Sequence, residues 1–152
     1  MSVFVRVSTT HPDFLLLVEA LDSELWQRYP DIEHQYAPFN NVKTNAHAIV
    51  VYDETGPIGC GCLRPMQEAG VVEIKRMYVA PACRNQGIGK QILAHLETWA
   101  VEQGFVQAKL ETAKRQPEAI AAYEHSGYAA IPNYEPYVNM PESICMAKML
   151  RS

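Results

Sequence analysis

The stretch from Val79 to Lys90 carries the residue types whose chemistry is easiest to recognise in this chain. Gly87 and Gly89 place no Cβ atom between the backbone and a ligand. An amphipathic helical pattern follows them, and the first N–H groups of a helix lack partners and carry a partial positive charge. Arg84 and Lys90 add two full positive charges. Together these features predict a site for a phosphate or pyrophosphate group.

Two common nucleotide-binding motifs do not fit this stretch. A Walker loop requires Ser or Thr directly after its lysine, whereas Gln91 follows Lys90. A dinucleotide-binding loop requires a third glycine, and the corresponding position holds Ile92. The phosphate-containing ligand therefore belongs to a different class.

Length and composition limit the function further. The chain has 152 residues, 48% of them hydrophobic and 20% charged, which is typical of one folded domain covering residues 1–152. Its 13 basic and 17 acidic residues give a net charge of −4, which argues against a nucleic-acid partner. The longest apolar run near the N-terminus, Phe14–Val18, is too short for a signal peptide or a membrane span. We therefore expect neither nucleic acid nor a membrane as a partner.

Cysteine and histidine spacing predicts no metal site. The four cysteines include no C-x-x-C pair, and the five histidines show no ligand spacing such as H-E-x-x-H. The plain interpretation is a cytoplasmic protein with reduced thiols. The cysteines are Cys60, Cys62, Cys83 and Cys145.

The first half of the sequence predicts one helix and four strands. The helix begins near Pro12, after Thr10 or His11 as its N-cap, and ends near Tyr29. The polar stretch Asp31–Asn45 predicts a loop with about one helical turn. Short connections join the last three strands into an antiparallel meander. The strands are Val3–Val7, Ala46–Tyr52, Pro57–Arg64 and Val71–Val79.

The second half predicts two helices and three strands. The helix after the glycines ends at Gly104, and the next strand, Val106–Thr112, is reached through it and so is predicted to run parallel to the strand before it. Pro117 opens the last helix, and Gly127 closes it. The final strands are Tyr128–Ile131 and Ser143–Leu150. The fold class is therefore α/β (α+β), a single domain with a mixed sheet of about seven strands.

A longer pattern is more specific than the glycines alone. The pattern begins with Val79-x-Pro81-x-x-Arg84-x-x-Gly87-x-Gly89, continues through a helix and a strand, and ends with Ala119-x-x-x-Tyr123-x-x-x-Gly127-Tyr128. This arrangement resembles the GNAT acyltransferase superfamily. The match runs from Glu73 to Tyr128. The resemblance implies a mostly antiparallel sheet with helices on both faces and a V-shaped parallel split at its centre, between the strands ending near Val79 and Thr112. It also implies acetyl-CoA as cosubstrate.

The resemblance assigns the donor site to particular residues. The strand Met77-Tyr78-Val79 would pair its backbone with the pantetheine arm, and a backbone N–H at Met77 or Val79 would face the thioester oxygen. Many family members carry Asn three residues before Ala119, where this chain has the longer Gln116. The pyrophosphate loop would consist of Arg84, Asn85, Gln86, Gly87, Ile88, Gly89 and Lys90.

The resemblance also suggests the catalytic groups. Tyr123 lies where family members often have the general acid that protonates the departing CoA thiolate; the alternative is a core tyrosine. A primary amine with a pKa of about 10.4 is protonated at neutral pH, and removing that proton costs roughly 4.6 kcal/mol. Glu73 is the candidate base, directly or through water. The alternative for Glu73 is an exposed strand end or an ion pair with Lys75 or Arg76, and a solvated strand face is the favoured interpretation of these two cations.

The acceptor pocket of the superfamily is walled by the first helix and the last loop. On that basis Tyr29, Tyr134 and Tyr137 are candidate pocket residues, and Glu135 could meet a substrate ammonium group. The alternative is that they are ordinary surface residues.

The leading hypothesis is an N-acetyltransferase acting on a primary amine of a small molecule or amino-acid-like acceptor, by direct attack in a ternary complex. A non-catalytic acyl-CoA-binding or sensing module, and a protein (lysine or N-terminal) acetyltransferase, are the alternatives. A homodimer is common among proteins of this resemblance, while the acceptor's identity is not specified by the sequence.

Overall fold

Four helices and seven strands lie in the part of the chain that the structure describes. The computed structural model describes residues 1–39 and 46–151. The helices are α1 (Pro12–Arg28), α2 (Glu33–Tyr36), α3 (Ile88–Glu102) and α4 (Pro117–His125). The strands are β1 (Val3–Ser8), β2 (His47–Asp53), β3 (Gly56–Pro65), β4 (Val71–Val79), β5 (Gln107–Ala113), β6 (Ala129–Ile131) and β7 (Ser143–Met149).

One mixed sheet contains these strands in the order β1-β2-β3-β4-β5-β7-β6. The parallel pair is β4 with β5, and the other neighbours run antiparallel. This confirms the predicted sheet. β4 and β5 pair only at Val71–Glu73 and Gln107–Lys109, although both strands continue beyond these residues. They therefore separate and form the central split that the family resemblance implied.

Helices cover both faces of the sheet, as predicted. In β2, Ile49 and Val51 belong to a core cluster with residues of α3, whereas Ala48 and Val50 belong to a cluster with residues of α1. Successive strand residues point to opposite faces, so a strand that is apolar at every position needs cover on both sides.

Local sequence explains where the two long helices begin. α1 has His11 as its N-cap, whose Nδ1 accepts a hydrogen bond from the backbone N–H of Asp13 at 3.1 Å, and Pro12 occupies the first turn. α3 begins after Gly87, which has a φ of +80°. Its buried residues recur at helical spacing, as in Ile88 and Ile92, and this stripe packs on the sheet.

β4 contains a bulge opposite Gly61 of β3. The register of this ladder shifts so that Arg76 and Met77 together oppose the single residue Gly61. Arg76 has a φ of +59°, in the left-handed region that non-glycine residues seldom adopt. A Cβ atom on Gly61 would lie 2.6 Å from Sδ of Met77, so a larger residue at that position would force the Met77 side chain to move.

The bulge decides which face each side chain of β4 occupies. Lys75 lies on the α1 face, and after the extra residue Tyr78 lies on that face again, while Met77 packs with the α3 cluster. Lys75 and Arg76 are each only 8% exposed. The interpretation of these two residues as a solvated strand face was therefore wrong.

The predicted loop Asp31–Asn45 is partly structured. It contains α2 and a 3₁₀ turn at Ala37–Phe39, and residues 40–45 lie outside the described residues. Within the described residues, no helix is both long enough and apolar enough to cross a membrane.

Candidate active site

Two cavities meet at the split between β4 and β5. The larger, about 540 Å³, is the donor cleft, and it lies between the C-terminal half of α1, the glycine loop, and α4. The smaller, about 160 Å³, is the acceptor cavity, and it lies between the end of α1, α2, and the separating parts of β4 and β5. Both cavities are lined by Leu21, Leu25, Met77, Gln116 and Tyr123.

The glycine loop has the geometry of an anion-binding helix start. Among the described residues, the N–H groups of Asn85, Gln86 and Gly87 make no backbone hydrogen bond. The first bond of α3 runs from the N–H of Gln91 to the carbonyl of Gly87 at 3.1 Å, and none of the described side chains caps the helix. The preceding N–H groups of the helix are therefore available to a phosphate group.

The predicted donor-site residues line the donor cleft with one exception. Gln86 is exposed and is not part of the cleft wall. The residues that line it are Met77, Tyr78, Val79, Arg84, Asn85, Gly87, Ile88, Gly89, Lys90, Gln116 and Ala119. The segment of β4 that includes Met77, Tyr78 and Val79 borders the split and pairs with β3 on one side only, so its other edge can accept an added strand-like ligand.

Arg84 is engaged by the protein itself. Its Nε donates to the carbonyl oxygen of Val79 at 2.7 Å, and its Nη2 donates to Oε1 of Glu24 on α1 at 2.8 Å. The guanidinium also lies over the ring of Tyr78, 5.6 Å from the centroid. Arg84 thus connects the glycine loop to both α1 and β4, while Lys90 contributes a second cation to the cleft wall.

Two of the four predicted acceptor residues line the acceptor cavity. Tyr29 and Tyr137 are buried in its wall. Glu135 is exposed and lies outside this cavity, and Tyr134 lies behind it. The Tyr134 hydroxyl donates to Oε2 of Glu73 at 2.9 Å, so it positions a carboxylate rather than forming the cavity surface.

Glu73 is buried and fully engaged. It is 1% exposed, and its Oε1 accepts a hydrogen bond from Arg64 at 2.8 Å. With Tyr134 on Oε2, both carboxylate oxygens have partners. Its cationic partner is Arg64 rather than the Lys75 or Arg76 that the sequence suggested, because Arg64 lies directly opposite on β3.

Glu111 is a residue of the acceptor cavity that the sequence interpretation missed. It lies on β5, just beyond the last residue paired with β4, and lines the cavity. Burial raises the pKa of Glu111 to about 7, although a hydrogen bond from Ser143 at 2.9 Å and the nearby charge of Lys75 act in the opposite direction. The available signal was the alternation of Gln107, Lys109 and Glu111 on one face of a half-buried strand.

Tyr123 lies at the junction of the two cavities. Burial, reinforced by the charge of Glu111, raises the pKa of Tyr123 to about 12, so the phenol keeps its proton at neutral pH. Its ring packs edge-on against Tyr128, with centroids 6.2 Å apart. Among the described residues, none accepts a hydrogen bond from the Tyr123 hydroxyl, which leaves this donor available to a ligand.

The split is lined by acidic, basic and hydrogen-bonding side chains. Among the described residues, no group of three or more His, Cys, Asp or Glu side chains is arranged to hold a metal ion.

Known proteins are similar to this chain in sequence and in fold. The IAA acetyltransferase of Azospirillum brasilense is 32% identical over 146 residues, which cover 95% of each chain. A solved candidate acyl-CoA N-acyltransferase from Klebsiella pneumoniae has a TM-score of 0.81 and 32% identity over 99% of each chain. A solved candidate streptothricin acetyltransferase from Bacillus anthracis, in complex with acetyl coenzyme A, has the same fold, with a TM-score of 0.62 at 20% identity over 75% of this chain and 68% of that one.

A family model defines the relationship. The model of the acetyltransferase (GNAT) family matches residues 12–128, which include α1, the glycine loop, the split and Tyr123. The relative from Azospirillum extends the similarity over nearly the whole chain. The protein therefore belongs to the acetyltransferase (GNAT) family and is an acyltransferase.

Proposed function

We propose that the enzyme transfers an acetyl group from acetyl-CoA to a primary amine of a small molecule or an amino-acid-like acceptor, by direct attack in a ternary complex. The observation that carries this proposal is the junction of the donor cleft and the acceptor cavity at Met77, Gln116 and Tyr123. A thioester in one cavity and an amine in the other would meet there without a covalent enzyme intermediate.

The donor cleft fits acetyl-CoA. Unpartnered N–H groups at the start of α3, the missing side chains of Gly87 and Gly89, and the charge of Lys90 suit a pyrophosphate. The unpaired edge of β4 suits an amide-containing pantetheine arm. The Bacillus anthracis protein of the same fold binds acetyl coenzyme A, which supports the proposal for this chain.

Proton transfer sets the chemical requirements of the site. The acceptor arrives as an ammonium ion and must lose a proton before it can attack, so a base has to lie at the acceptor side. The departing thiolate needs a hydrogen-bond donor at the donor side, and the proposed donor is the Tyr123 hydroxyl. The Tyr123 hydroxyl has a pKa of about 12 and is therefore a weaker acid than a thiol of pKa about 8.5. It stabilises the developing thiolate mainly by hydrogen bonding. The proton moves to the sulfur when the two pKa values approach each other.

The shape of the acceptor cavity favours a small acceptor over a protein chain. Its volume is about 160 Å³, and its wall combines aromatic rings, such as Tyr29 and Tyr137, with the carboxylates Glu73 and Glu111. Aromatic rings and carboxylates are both favourable surroundings for an ammonium group.

Initial-rate kinetics tests the proposal. Thiol release from acetyl-CoA would be followed with a panel of the standard amino acids, tyramine, tryptamine, spermidine and a lysine-containing peptide. We expect transfer to at least one of the small amines, with double-reciprocal plots that intersect. Parallel plots would indicate a covalent intermediate, for which Cys83 in the donor cleft is the candidate, and Cys83→Ala would then lose turnover. Transfer to the peptide alone would reassign the enzyme to protein acetylation.

Location and assembly are part of the same proposal. We propose a cytoplasmic enzyme, supported by four cysteines that form no disulfide. The homodimer expected from the family resemblance is tested by sedimentation equilibrium.

A further inference from the structure

We propose that Glu111 is the catalytic base that takes the proton from the acceptor's ammonium group, and that Ser143 and Tyr36 conduct this proton away from the site. The inference rests on the acetyl transfer proposed above and identifies a group for its first step.

Position distinguishes Glu111 from the other carboxylates of the acceptor cavity. Lys109 is the last residue of β5 that pairs with β4, and Glu111 comes two residues later. Its side chain therefore lies where the split opens. Glu111 and Tyr123 both line the acceptor cavity, Glu111 from β5 and Tyr123 from α4. An amine between them would have the base on its acceptor side and the phenol on its donor side.

Hydrogen bonding separates Glu111 from Glu73. Both oxygens of Glu73 are engaged, one by the cation of Arg64 at 2.8 Å and the other by Tyr134 at 2.9 Å. Glu111 accepts a hydrogen bond at Oε2 from Ser143, and within the described residues its Oε1 accepts none. A base needs an open lone pair within reach of the proton that it removes. Glu111 meets this requirement, whereas Glu73 would first have to break an ion pair.

A chain of hydroxyl groups leads away from Glu111. The Ser143 hydroxyl lies 2.9 Å from Oε2 of Glu111 and 3.0 Å from the phenol oxygen of Tyr36, a half-buried residue at the end of α2. When Glu111 is ionised, Ser143 donates to it and accepts from Tyr36. When Glu111 is protonated, it can donate to Ser143 while Ser143 donates to Tyr36, and a shift of one proton along each bond passes a proton to the Tyr36 hydroxyl, which releases its own proton to water.

The charges around Glu111 set the pH at which it can act. Lys75 on β4 favours the ionised form, Glu73 on β4 and Glu33 on α2 oppose it, and burial opposes it most strongly. The titratable groups packed around this carboxylate are Glu33 and Tyr36 of α2, Glu73 and Lys75 of β4, Tyr123 of α4, Tyr137 of the last loop and Cys145 of β7. With a pKa of about 7, Glu111 is ionised often enough to accept a proton near neutral pH and basic enough to hold it.

The proton balance is complete with these groups. The ammonium gives one proton to Glu111, and the neutral amine then attacks the thioester carbon, forming a C–N bond. As the C–S bond breaks, the sulfur keeps the electron pair and takes the Tyr123 proton. The nitrogen passes its second proton to the Tyr123 phenolate, which restores the phenol, and the first proton leaves from Glu111 through Ser143 and Tyr36. The products are an N-acetyl amide, CoA thiol and one released proton.

The test is the pH dependence of kcat at saturating acetyl-CoA and saturating amine, using the best acceptor from the panel above. We expect kcat of the wild type to rise with pH along an acidic limb near neutrality. Glu111→Gln should lower kcat by about 10²–10⁴-fold and remove this limb, while calorimetry gives the same affinity for acetyl-CoA. Glu111→Asp should keep a limb with a partly reduced rate. Ser143→Ala should move the limb to higher pH, because it removes a hydrogen bond that favours the ionised carboxylate.

Comparison with Glu73 makes the experiment decisive. A Glu111→Gln enzyme that keeps the wild-type rate and limb would overturn the proposal. A limb that disappears in Glu73→Gln and persists in Glu111→Gln would assign the base to Glu73 instead. If Glu111→Gln fails to fold, an unshifted limb in both Glu111→Asp and Ser143→Ala would equally refute it. Absence of transfer to any amine by the wild type would refute the proposed function itself, and so the two failures are distinguishable.

Discussion

Arg84 of the glycine loop and Glu24 of α1 form an ion pair with an N–O distance of 2.8 Å across the donor cleft. Both side chains are partly buried, at 29% and 22% exposed. The guanidinium also holds the carbonyl of Val79, so the loop expected to bind pyrophosphate is fastened to the helix that covers the acceptor cavity. In the protein alone, the charge of Arg84 is directed at Glu24.

Glu24→Gln should therefore strengthen acetyl-CoA binding. The change removes a negative charge from the cleft wall and frees Arg84 to face the phosphates. Because a partly exposed ion pair contributes about 0.2–1 kcal/mol, we expect Kd to fall by about two- to fivefold at low salt and by less at high salt. Titration calorimetry with CoA measures this change. Glu118→Gln removes a charge from the same cleft without an ion pair to Arg84, and an equal gain there would show that only net charge matters.

Tyr123→Phe should lower kcat and leave the fold intact. Its hydroxyl serves no hydrogen bond within the described chain, so its loss should cost little stability, whereas loss of a general acid typically lowers rates by about 10²–10⁴-fold. Acetyl-CoA affinity should not change. Tyr128→Phe is the matched control, because the Tyr128 hydroxyl donates to Glu97 at 2.9 Å, and its removal should lower the melting temperature without lowering kcat. A fully active Tyr123→Phe enzyme would exclude the acid role.

Gly87→Ala and Gly89→Ala should separate folding from ligand binding. Gly87 has a φ of +80°, so a side chain there costs about 1–2 kcal/mol of stability even though a Cβ atom meets nothing within 4 Å. At Gly89 a Cβ atom would make only an ordinary 3.8 Å contact with Val79, and stability should be kept or slightly raised. The added methyl group nevertheless stands in the donor cleft, so we expect acetyl-CoA binding to weaken at least about tenfold. Thermal melts and calorimetry on the two variants check both expectations.

The stability of Glu111→Gln, measured relative to the wild type, should increase as pH rises. The pKa of Glu111 is raised from 4.5 to about 7 on folding, so between these pH values the folded chain holds a proton that the unfolded chain has released. Stability of the wild type therefore falls with rising pH across this window, by about 3 kcal/mol in total from this group. Urea unfolding measures this change: the free energy of unfolding of the variant, relative to that of the wild type, should be higher at pH 8 than at pH 5. A constant difference in stability between Glu111→Gln and the wild type would mean that the carboxyl of Glu111 is not perturbed.

Much of the fold follows from local sequence patterns. Gly87, Gly104 and Gly127 mark helix boundaries because each occupies a positive φ, and alternating or continuous apolar runs mark the strands. These signals act over a few residues, and the seven strands and three longer helices were predicted from them. The four-residue α2 was indicated only as a single turn, because so short a helix has no periodic stripe.

The site was less predictable because its contacts join distant parts of the chain. Tyr134 reaches Glu73 across 61 residues, and Arg84 reaches Glu24 across 60. Burial of Lys75 depends on the bulge beside it and on cover from other elements, none of which leaves a local pattern. Motif similarity located Tyr123 and the glycine loop, since both belong to the pattern that the family shares.

The extra residue at Arg76 divides β4 into two segments with separate tasks. Before it, Glu73 and Lys75 face the acceptor cavity, and after it Met77 and Val79 border the donor cleft. Because the bulge absorbs the change of register, side chains of the first segment can be exchanged without shifting the alignment of the second. An exchange at Lys75 would therefore change the wall of the acceptor cavity, while the half of the strand that borders the donor cleft keeps its pairing with β3.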